Sequence, residues 1–492
     1  MSSSEKKKNM VLYLDSVKNN DEYDMSDLRP AKHKPEDVDT KGVLSDIFKI
    51  AWPAFVELTL VQLVSMVDMM MVGSLGSYAI SAVGLTTQPK MLIMNIFMAM
   101  NVGGMALIAR ARGMQDQERA KAIMRQAIMM CAILSLIACI PAFIWCREFL
   151  TFISISKKSA IDAHTLTEAI NYFRIQIVGI PVVAITSAIT SSLRGIGQTR
   201  ISMIYNMTAN VVNVFFNYCL ILGNFGFPAM GVTGASLATV IGQTTGFVFA
   251  MIVITRKNQY LRFRLCDGMK PDPEILKNIA KIGIPTVIEQ LAMRLGNILY
   301  NRTISTLGTD AYATHQICFN LNSMTFMIGQ AIATPSTSMV GQSIGKKRLD
   351  VADYYGKIAK RFGICIAFSV ACFFFFKGSL LASLYSDDPN IIASCTGILK
   401  LIAPLILLIT MQQIDGGLLR GAGDTRYTAM VILFTTTFLR AFFAWFFVTR
   451  MGFGLQGAWY GFIIDQTVRS LLINLRYRSG KWKKTAIGIK MS

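Results

Sequence analysis

The chain has 492 residues, of which 53% are hydrophobic and 16% charged, with a mean hydropathy of +0.45. Soluble chains average about a quarter charged residues, so disorder, a coiled coil and an ordinary cytosolic enzyme are excluded, and several membrane spans of about 20 apolar residues each are implied. Lys and Arg number 49 against 29 Asp and Glu, a net +20 that would point to nucleic acid in a soluble protein and must be read by location in a membrane protein.

Residues 1–45 are polar and of mixed charge, from Lys6-Lys7-Lys8 to Lys41, with no apolar stretch after the first basic residues. That pattern is not a cleavable signal peptide, and it reads as a disordered cytosolic tail. Apolar runs then recur over 47–72, 80–112, 119–145, 165–194, 201–222 and 233–255, and again over 276–308, 312–343, 350–378, 391–421, 426–449 and 455–478. The expected fold class is an all-α polytopic membrane protein, with twelve transmembrane helices in two pseudo-symmetric six-helix lobes. The lobes are expected over 46–256 and 276–478, joined by a cytosolic linker at 257–275 and followed by a cytosolic tail at 479–492. The nine Cys form no CxxC and no cluster with His, so they read as small buried hydrophobes rather than disulfides or zinc ligands.

Loop charge sets the orientation. With the N-terminus inside, the cytoplasmic connections carry Arg110, Arg112, Arg119, Lys121, Arg125, Arg194, Arg200, Arg256, Lys257, Arg262 and Arg264, then Lys346, Lys347, Arg348, Arg420 and Arg426. The opposite loops hold only Arg147, Lys157, Lys158, Lys377 and Arg450. A bias this one-sided places both termini in the cytoplasm of a multi-pass protein of the cell (inner or plasma) membrane. It also accounts for the basic excess without nucleic acid, because the charges follow span ends rather than one folded face.

The chain is written twice. Pro53-Ala-Phe-Val-Glu57 answers Pro285-Thr-Val-Ile-Glu289, and Gly73-Ser-Leu-Gly76 answers Ser305-Thr-Leu-Gly308, at a constant offset of 232 (53 to 285, 76 to 308) that extends to Gly113 and Gly345. Arg194-Gly-Ile-Gly-Gln-Thr-Arg200 answers Arg420-Gly-Ala-Gly-Asp-Thr-Arg426 at 226 (194 to 420), and Gly231-Val-Thr-Gly-Ala235 answers Gly454-Leu-Gln-Gly-Ala458 at 223 (231 to 454). Six spans per half keep corresponding helices in one orientation, so the repeats are parallel, and a cleft between two lobes is expected. The Arg-Gly-x-Gly-x-Thr-Arg segments lack the strand and Lys-Ser/Thr of a phosphate loop and read as tight interhelical turns. With no ATPase signature, an ion gradient is the expected energy source.

These residues resemble the multidrug and toxic compound extrusion (MATE) transporters. The matching pieces are Pro53…Glu57…Val67-Asp68…Gly73-Ser-Leu-Gly76, Ala82-Val-Gly-Leu85, the paired Arg-Gly turns, Ala313-Thr-His-Gln-Ile317 and Val340-Gly-Gln-Ser-Ile-Gly345, in order over residues 45–478. The resemblance implies secondary active export of cationic or amphipathic organic compounds driven by Na⁺ or H⁺, with membrane lipids as surroundings. No cofactor beyond the coupling cation is expected.

Ionisable groups inside spans carry the sharpest signal, since each costs about 3 kcal/mol or more at a helix centre. Glu57 and Asp68 are 11 residues apart, about 20° beyond three full turns and roughly 16 Å along the axis, so they share a face. Asp68 matches the family's coupling acid of the first helix, binding a proton or, if the protein is Na⁺-coupled, the metal ion; a structural hydrogen bond to a neighbouring span is the competing reading. Glu57 and Glu289 occupy equivalent positions four residues after a Pro, where structural and functional roles compete. The resemblance implies a seventh-helix acid, for which Glu289 is the candidate, although some members place theirs a turn or more further along. Position 300, equivalent to Asp68, holds Tyr300. Arg294 needs a counter-charge, with Glu289 a candidate, and Asp465 and Arg469 form an i,i+4 pair. Asn206, Asn210, Asn213 and Asn217 recur every three or four residues; helix–helix bonding competes with a cation pathway through Asn213 and Asn217 facing Asp68. The expected ion-coupling set is therefore Asp68, Glu289, Asn213 and Asn217. The expected substrate cleft is Glu57, Asp68, Met69, Arg294 and Tyr300, with flexible methionines adapting to varied ligands. A flippase for a lipid-linked sugar or cell-wall precursor is the alternative, and it would call for more deep Arg or Lys. A membrane-embedded enzyme is disfavoured because the three His form no His/carboxylate motif.

Overall fold

The computed structural model describes residues 12–24, 34–156, 162–257, 259–264 and 270–489. Lys157, Lys158, Cys266 and parts of the two tails and of the 257–275 linker lie outside them. Twelve long helical segments follow the repeat. In the first half they are Thr40–Gly73, Ser77–Gly113, Gln117–Ile144, Ala163–Gly195, Thr199–Leu222 and Gly231–Thr255. In the second they are Pro273–Ser305, Thr309–Gly345, Leu349–Ser383, the pair Pro389–Ile402 and Leu405–Gly421, Thr425–Arg450 and Gly454–Arg478. They are called the first to twelfth helices below.

Seven of these helices are apolar and long enough to cross a membrane by composition alone, and the tenth is a pair bent by 54°. The bend falls where Pro404 removes a backbone donor and disfavours helix at Ala403, a break the sequence reading missed. The remaining four, the fifth, seventh, eighth and twelfth, are diluted by buried polar residues such as Asn213, Asn217, Glu289, His315 and Asp465. Polar side chains inside a span face protein rather than lipid, while apolar ones such as Ile137, Val178 and Val211 are left on the outside.

The duplication is visible in the backbone. Left-handed glycines recur at equivalent positions with similar φ: Gly76 and Gly308 (115° and 97°), Gly197 and Gly423 (83° and 82°), Gly231 and Gly454 (55° and 56°). Gln115 and Lys347, 232 apart (115 to 347), share the same strained sign at 61° and 58° although neither is glycine. The Arg-Gly-x-Gly segments are thus tight turns between helices, with the second glycine supplying the positive φ.

The chain divides into two compact units. One holds Pro53–Ile108 and the described part of Asp116–Lys281; the other holds the described residues up to Trp52, Ala109–Gln115 and those from Ile282 onward. The expected boundaries therefore shift: residues 46–52 and 109–115 pack with the second half. In that unit Gly113 and Gly345 meet face to face, and a Cβ added to either would come within 2.9 Å of the other's Cα.

The N-terminal residues also depart from expectation. Residues 12–24 and 34–39, read as disordered, are folded against the second-half unit. Leu12, Leu14, Val17 and Val38 are buried with Ile344, Leu349, Tyr355 and Trp482. Asp46 accepts from the backbone N–H groups of Tyr13 (2.7 Å) and Leu14 (2.8 Å), and from the Tyr355 hydroxyl (3.0 Å). Lys346 Nζ donates to the carbonyls of Leu14 (2.8 Å) and Val17 (2.6 Å), and Arg348 forks onto Asp37 with two 2.8 Å bonds. A mixed-charge composition concealed this because the anchoring charges lie outside the segment and few apolar side chains do the burying, Leu12, Leu14, Val17 and Val38 with Tyr13 and Tyr23 packed against them. The C-terminal tail is likewise partly structured: helix Lys481–Ile487 buries Trp482 and Lys483.

Replacing buried Leu14 by Ala is expected to cost about 2–3 kcal/mol of docking free energy and to speed limited proteolysis within residues 12–24; unchanged cleavage would contradict the packing. The hydrogen-bonded Arg348 guanidinium holds Asp37 below its usual 3.8. A depressed carboxylate stabilises above its unfolded pKa and ceases to do so as the pH falls through its folded value. Protection of the segment should therefore persist at neutral pH and weaken only on acidification below that range, with Asp37→Asn abolishing the acid-dependent part.

Candidate functional site

Inside the first-half unit, the first helix carries both carboxylates that the sequence places on one face, and each finds its own partners. Near the Pro53 end, Glu57 Oε1 pairs with Arg194 of the first Arg-Gly turn at 2.8 Å and accepts from Asn206 Nδ2 at 2.5 Å. The equivalent pair recurs in the second-half unit, where Glu289 faces Arg420 at 3.9 Å and accepts from the Thr428 hydroxyl at 3.5 Å. Each half thus ties its Pro-containing first helix to its own interhelical turn. Glu289 was one candidate counter-charge for Arg294, with an acid from another helix the alternative; Glu289 instead faces Arg420, and Arg294 makes no ion pair with a described residue. The reason is register, since Arg420 enters from the turn beside Glu289 whereas Arg294 is five residues further along the same helix.

Asp68 lies three turns along from Glu57. Asn217 Nδ2 donates to its Oδ1 at 2.5 Å. With the Asn213 carboxamide turned so that its nitrogen faces Asp68, it donates to both carboxylate oxygens at 3.2 Å while its oxygen accepts from the Thr239 backbone N–H at 3.2 Å. Two amides of the fifth-helix stripe therefore converge on Asp68, their spacing of four residues stacking them on one face. Gly242 permits the approach, since a Cβ there would meet Asn213 Cβ at 2.8 Å. The Asn217 carbonyl oxygen is buried with no partner.

The sequence reading missed Lys90, from the second helix. Its ammonium interacts electrostatically with Asp68 and donates to Gln176 Oε1 at 2.6 Å. Gln176 in turn donates to the backbone and side-chain oxygens of Ser236 at 3.3 Å, and Ser236 Oγ donates to the Tyr172 carbonyl at 2.9 Å. A Lys one residue after Pro89 inside an otherwise uncharged run was the available signal. The arrangement surrounds one carboxylate with neutral N–H donors and one cation held at a distance by its own partner.

The second-half unit treats the equivalent region differently. Tyr300, expected in the cleft, is 1% exposed and packs among Cys318, Phe462 and Ala458; its aromatic body fills core volume that a carboxylate would leave polar. A buried acid of this unit with no counterpart around Asp68 is Asp465, which accepts from Arg469 at 2.5 Å and from Arg440 at 2.5 and 2.8 Å. Arg440 also donates to Asn297 at 2.7 Å and lies over the Phe462 ring at 4.8 Å. The expected Asp465–Arg469 pair is therefore two members of a buried triad completed by Arg440. Leu433–Arg440 is a π-helical stretch ending at Arg440, and Gly296 gives it room, since a Cβ there would meet the Thr436 carbonyl at 2.5 Å. Asp415 is fully buried against Lys360 at 2.6 Å and Asn474 at 2.8 Å. Met69 is 44% exposed on the first helix.

Asp465→Asn would strand two buried guanidinium groups, a loss on the order of 3–5 kcal/mol, and should lower the melting temperature of the purified protein. Asp68→Asn keeps a polar side chain among amides and should melt nearly as the parent does. Equal melting behaviour of the two variants would contradict this division.

Comparison with known proteins agrees with the fold and the repeat. The MatE family model matches twice, over residues 53–219 and 285–446, starting at the two equivalent prolines. The chain is 28% identical over 448 residues to a probable multidrug resistance protein NorM of Thermotoga maritima, covering 90% of this chain and 94% of that one. It is equally similar over 443 residues to the uncharacterized transporter YisQ of Bacillus subtilis, covering 89% and 94%. A crystal structure of a MATE protein in a bent conformation superposes with a TM-score of 0.82 at 22% identity, covering 90% of this chain and 97% of that one. With two family matches that start at Pro53 and Pro285 and a fold shared with a solved MATE structure, the chain belongs to the MatE family and is a polytopic, twelve-helix MATE transporter.

Proposed function

We propose that this transporter exports cationic or amphipathic organic compounds by alternating access, in exchange for protons taken up at Asp68. The observation that carries the reading is the donor set around that carboxylate. Asn217 and Asn213 turn amide nitrogens toward it, and Lys90 adds a positive field. Hard metal cations are held by several oxygens, and an N–H donor set is matched instead to a carboxylate that gains and loses a proton. The ionised form accepts from both amides. The protonated form becomes a donor, and a half-turn of the Asn217 carboxamide would bring its unpartnered oxygen into reach. Protonation therefore exchanges one satisfied arrangement for another, while releasing the first helix from the Lys90 field.

Family membership and the NorM relative support an exporter of organic compounds rather than an enzyme, and they do not favour the flippase. Loop charge supports both termini on the cytoplasmic side of a cell membrane. Glu57 and Glu289, each matched to an arginine of its own half, serve as anchors in this scheme. That reading leaves Asp68, with Asn213 and Asn217, as the coupling centre.

Everted vesicles loaded with a cationic dye provide the test. A pH gradient at symmetrical Na⁺ should drive dye movement, a Na⁺ gradient at symmetrical pH should not, and Asp68→Asn should abolish movement while leaving the protein inserted. Normal transport by Asp68→Asn would sink the assignment of the acid; Na⁺-driven transport would sink the proton.

A further inference from the structure

The first-half unit contains a cavity of about 540 Å³ that the transport reading does not use. It is lined by Lys121, Arg125, Lys257, Arg262 and Arg264, with Glu118 the one acid among its described lining residues. We propose that this cavity binds the phosphate of an anionic membrane lipid headgroup.

Two elements build it. Lys121 and Arg125 stand one turn apart near the start of the third helix and share a face. The connection after the sixth helix supplies the others, and burial alternates along its residues 261–264. Leu261 and Phe263 point inward, 0% and 3% exposed, which turns Arg262 and Arg264 to the opposite side. Gln117 Nε2 clips the connection by donating to the Tyr260 carbonyl at 2.9 Å, and Phe263 N–H donates to the Ile254 carbonyl at 2.8 Å. The basic groups are therefore held in place by packing and hydrogen bonds rather than carried on an unanchored loop.

Among the described lining residues positive charge predominates. Lys121, Lys257, Arg262 and Arg264 stand beside Arg125 with one carboxylate among these residues, and Glu118 is already bonded to Lys121 at 2.8 Å. Arg262 Nε is buried with no partner. A guanidinium donor withheld from water and left unmatched calls for an acceptor, and guanidinium forks fit phosphate oxygens in pairs. Position selects the source. The cavity sits where the third helix begins and the sixth ends, at one limit of the apolar spans. Leu136, eleven residues past Arg125 and so within about 20° of it around the helix, is 49% exposed. A headgroup in the cavity would thus have an apolar helix face on which to lay its acyl chain, which a free phosphate ion could not use.

Binding of phosphatidylglycerol to the detergent-purified full chain, followed by native mass spectrometry and by lipid-induced thermal shift, tests the proposal against phosphatidylcholine and inorganic phosphate. Phosphatidylglycerol should bind preferentially. The triple variant K257Q/R262Q/R264Q should lose on the order of a hundredfold in apparent affinity, with its melting temperature in neutral detergent unchanged. Lys257→Gln alone, an exposed change that leaves folding intact, should lose about fivefold. Parental phosphatidylglycerol affinity in the single or the triple variant would overturn the site. A thermal shift from inorganic phosphate equal to that from the lipid would assign the cavity to a soluble anion and overturn the lipid reading.

Discussion

Charge inside an apolar bundle has to be matched where it stands, and this requirement organises both halves of the chain. A span buries a carboxylate only at a cost of several kcal/mol unless a partner arrives from another helix. The duplicated sequence meets the requirement with the same device twice, Glu57 with Arg194 and Glu289 with Arg420. In each case the arginine opens an Arg-Gly-x-Gly turn whose second glycine takes a left-handed φ. The turn motif is therefore more than a connector. It positions the guanidinium that allows the Pro-containing first helix of its half to carry an acid.

Much of this was legible in one dimension. Hydropathy and the offset of 232 located twelve helices and two halves, because apolar length and repeated turn glycines are local properties. The convergence of Asn213 and Asn217 on Asp68 was also accessible, since a four-residue spacing defines a helix face. What sequence could not supply is which face meets which neighbour. Glu289 finds Arg420 rather than Arg294, and Tyr300 is enclosed by Phe462 and Cys318 rather than presented as a lining residue. Lys90 was overlooked because a single basic residue in an uncharged run carries no spacing to interpret. The Pro404 break was missed because its two flanking segments together have the length of one ordinary span.

The N-terminal segment illustrates a different limit. Composition treats residues 1–45 as a unit, yet docking depends on a few positions, with Leu12, Leu14 and Val17 covered and Lys346 and Asp46 satisfying the local backbone. Lys346 follows Gly345, whose contact with Gly113 brings two backbones close enough to exclude any side chain. The close contact, the turn after it and the docked segment form one continuous piece of packing. Disorder by composition fails here because the stabilising groups lie outside the segment, Asp46 on the first helix and Lys346 more than three hundred residues away in sequence.

The halves diverge in how reversible their buried charge is. Asp465 is held by two arginines at 2.5 Å, so removing its charge leaves two cations without a counter-ion in a dry core. That carboxylate is suited to holding the eleventh and twelfth helices together and unsuited to changing state. Asp68 is held by carboxamides, which are neutral and which offer an acceptor as readily as a donor after rotation. Its nearest cation, Lys90, has Gln176 as an independent partner and is not stranded when the acid is neutralised. A carboxylate surrounded by neutral, rotatable partners gains or loses its charge at little cost to its neighbours. The duplication supplies two frameworks, and with Tyr300 at the position equivalent to Asp68 the second has no carboxylate there to surround in this way.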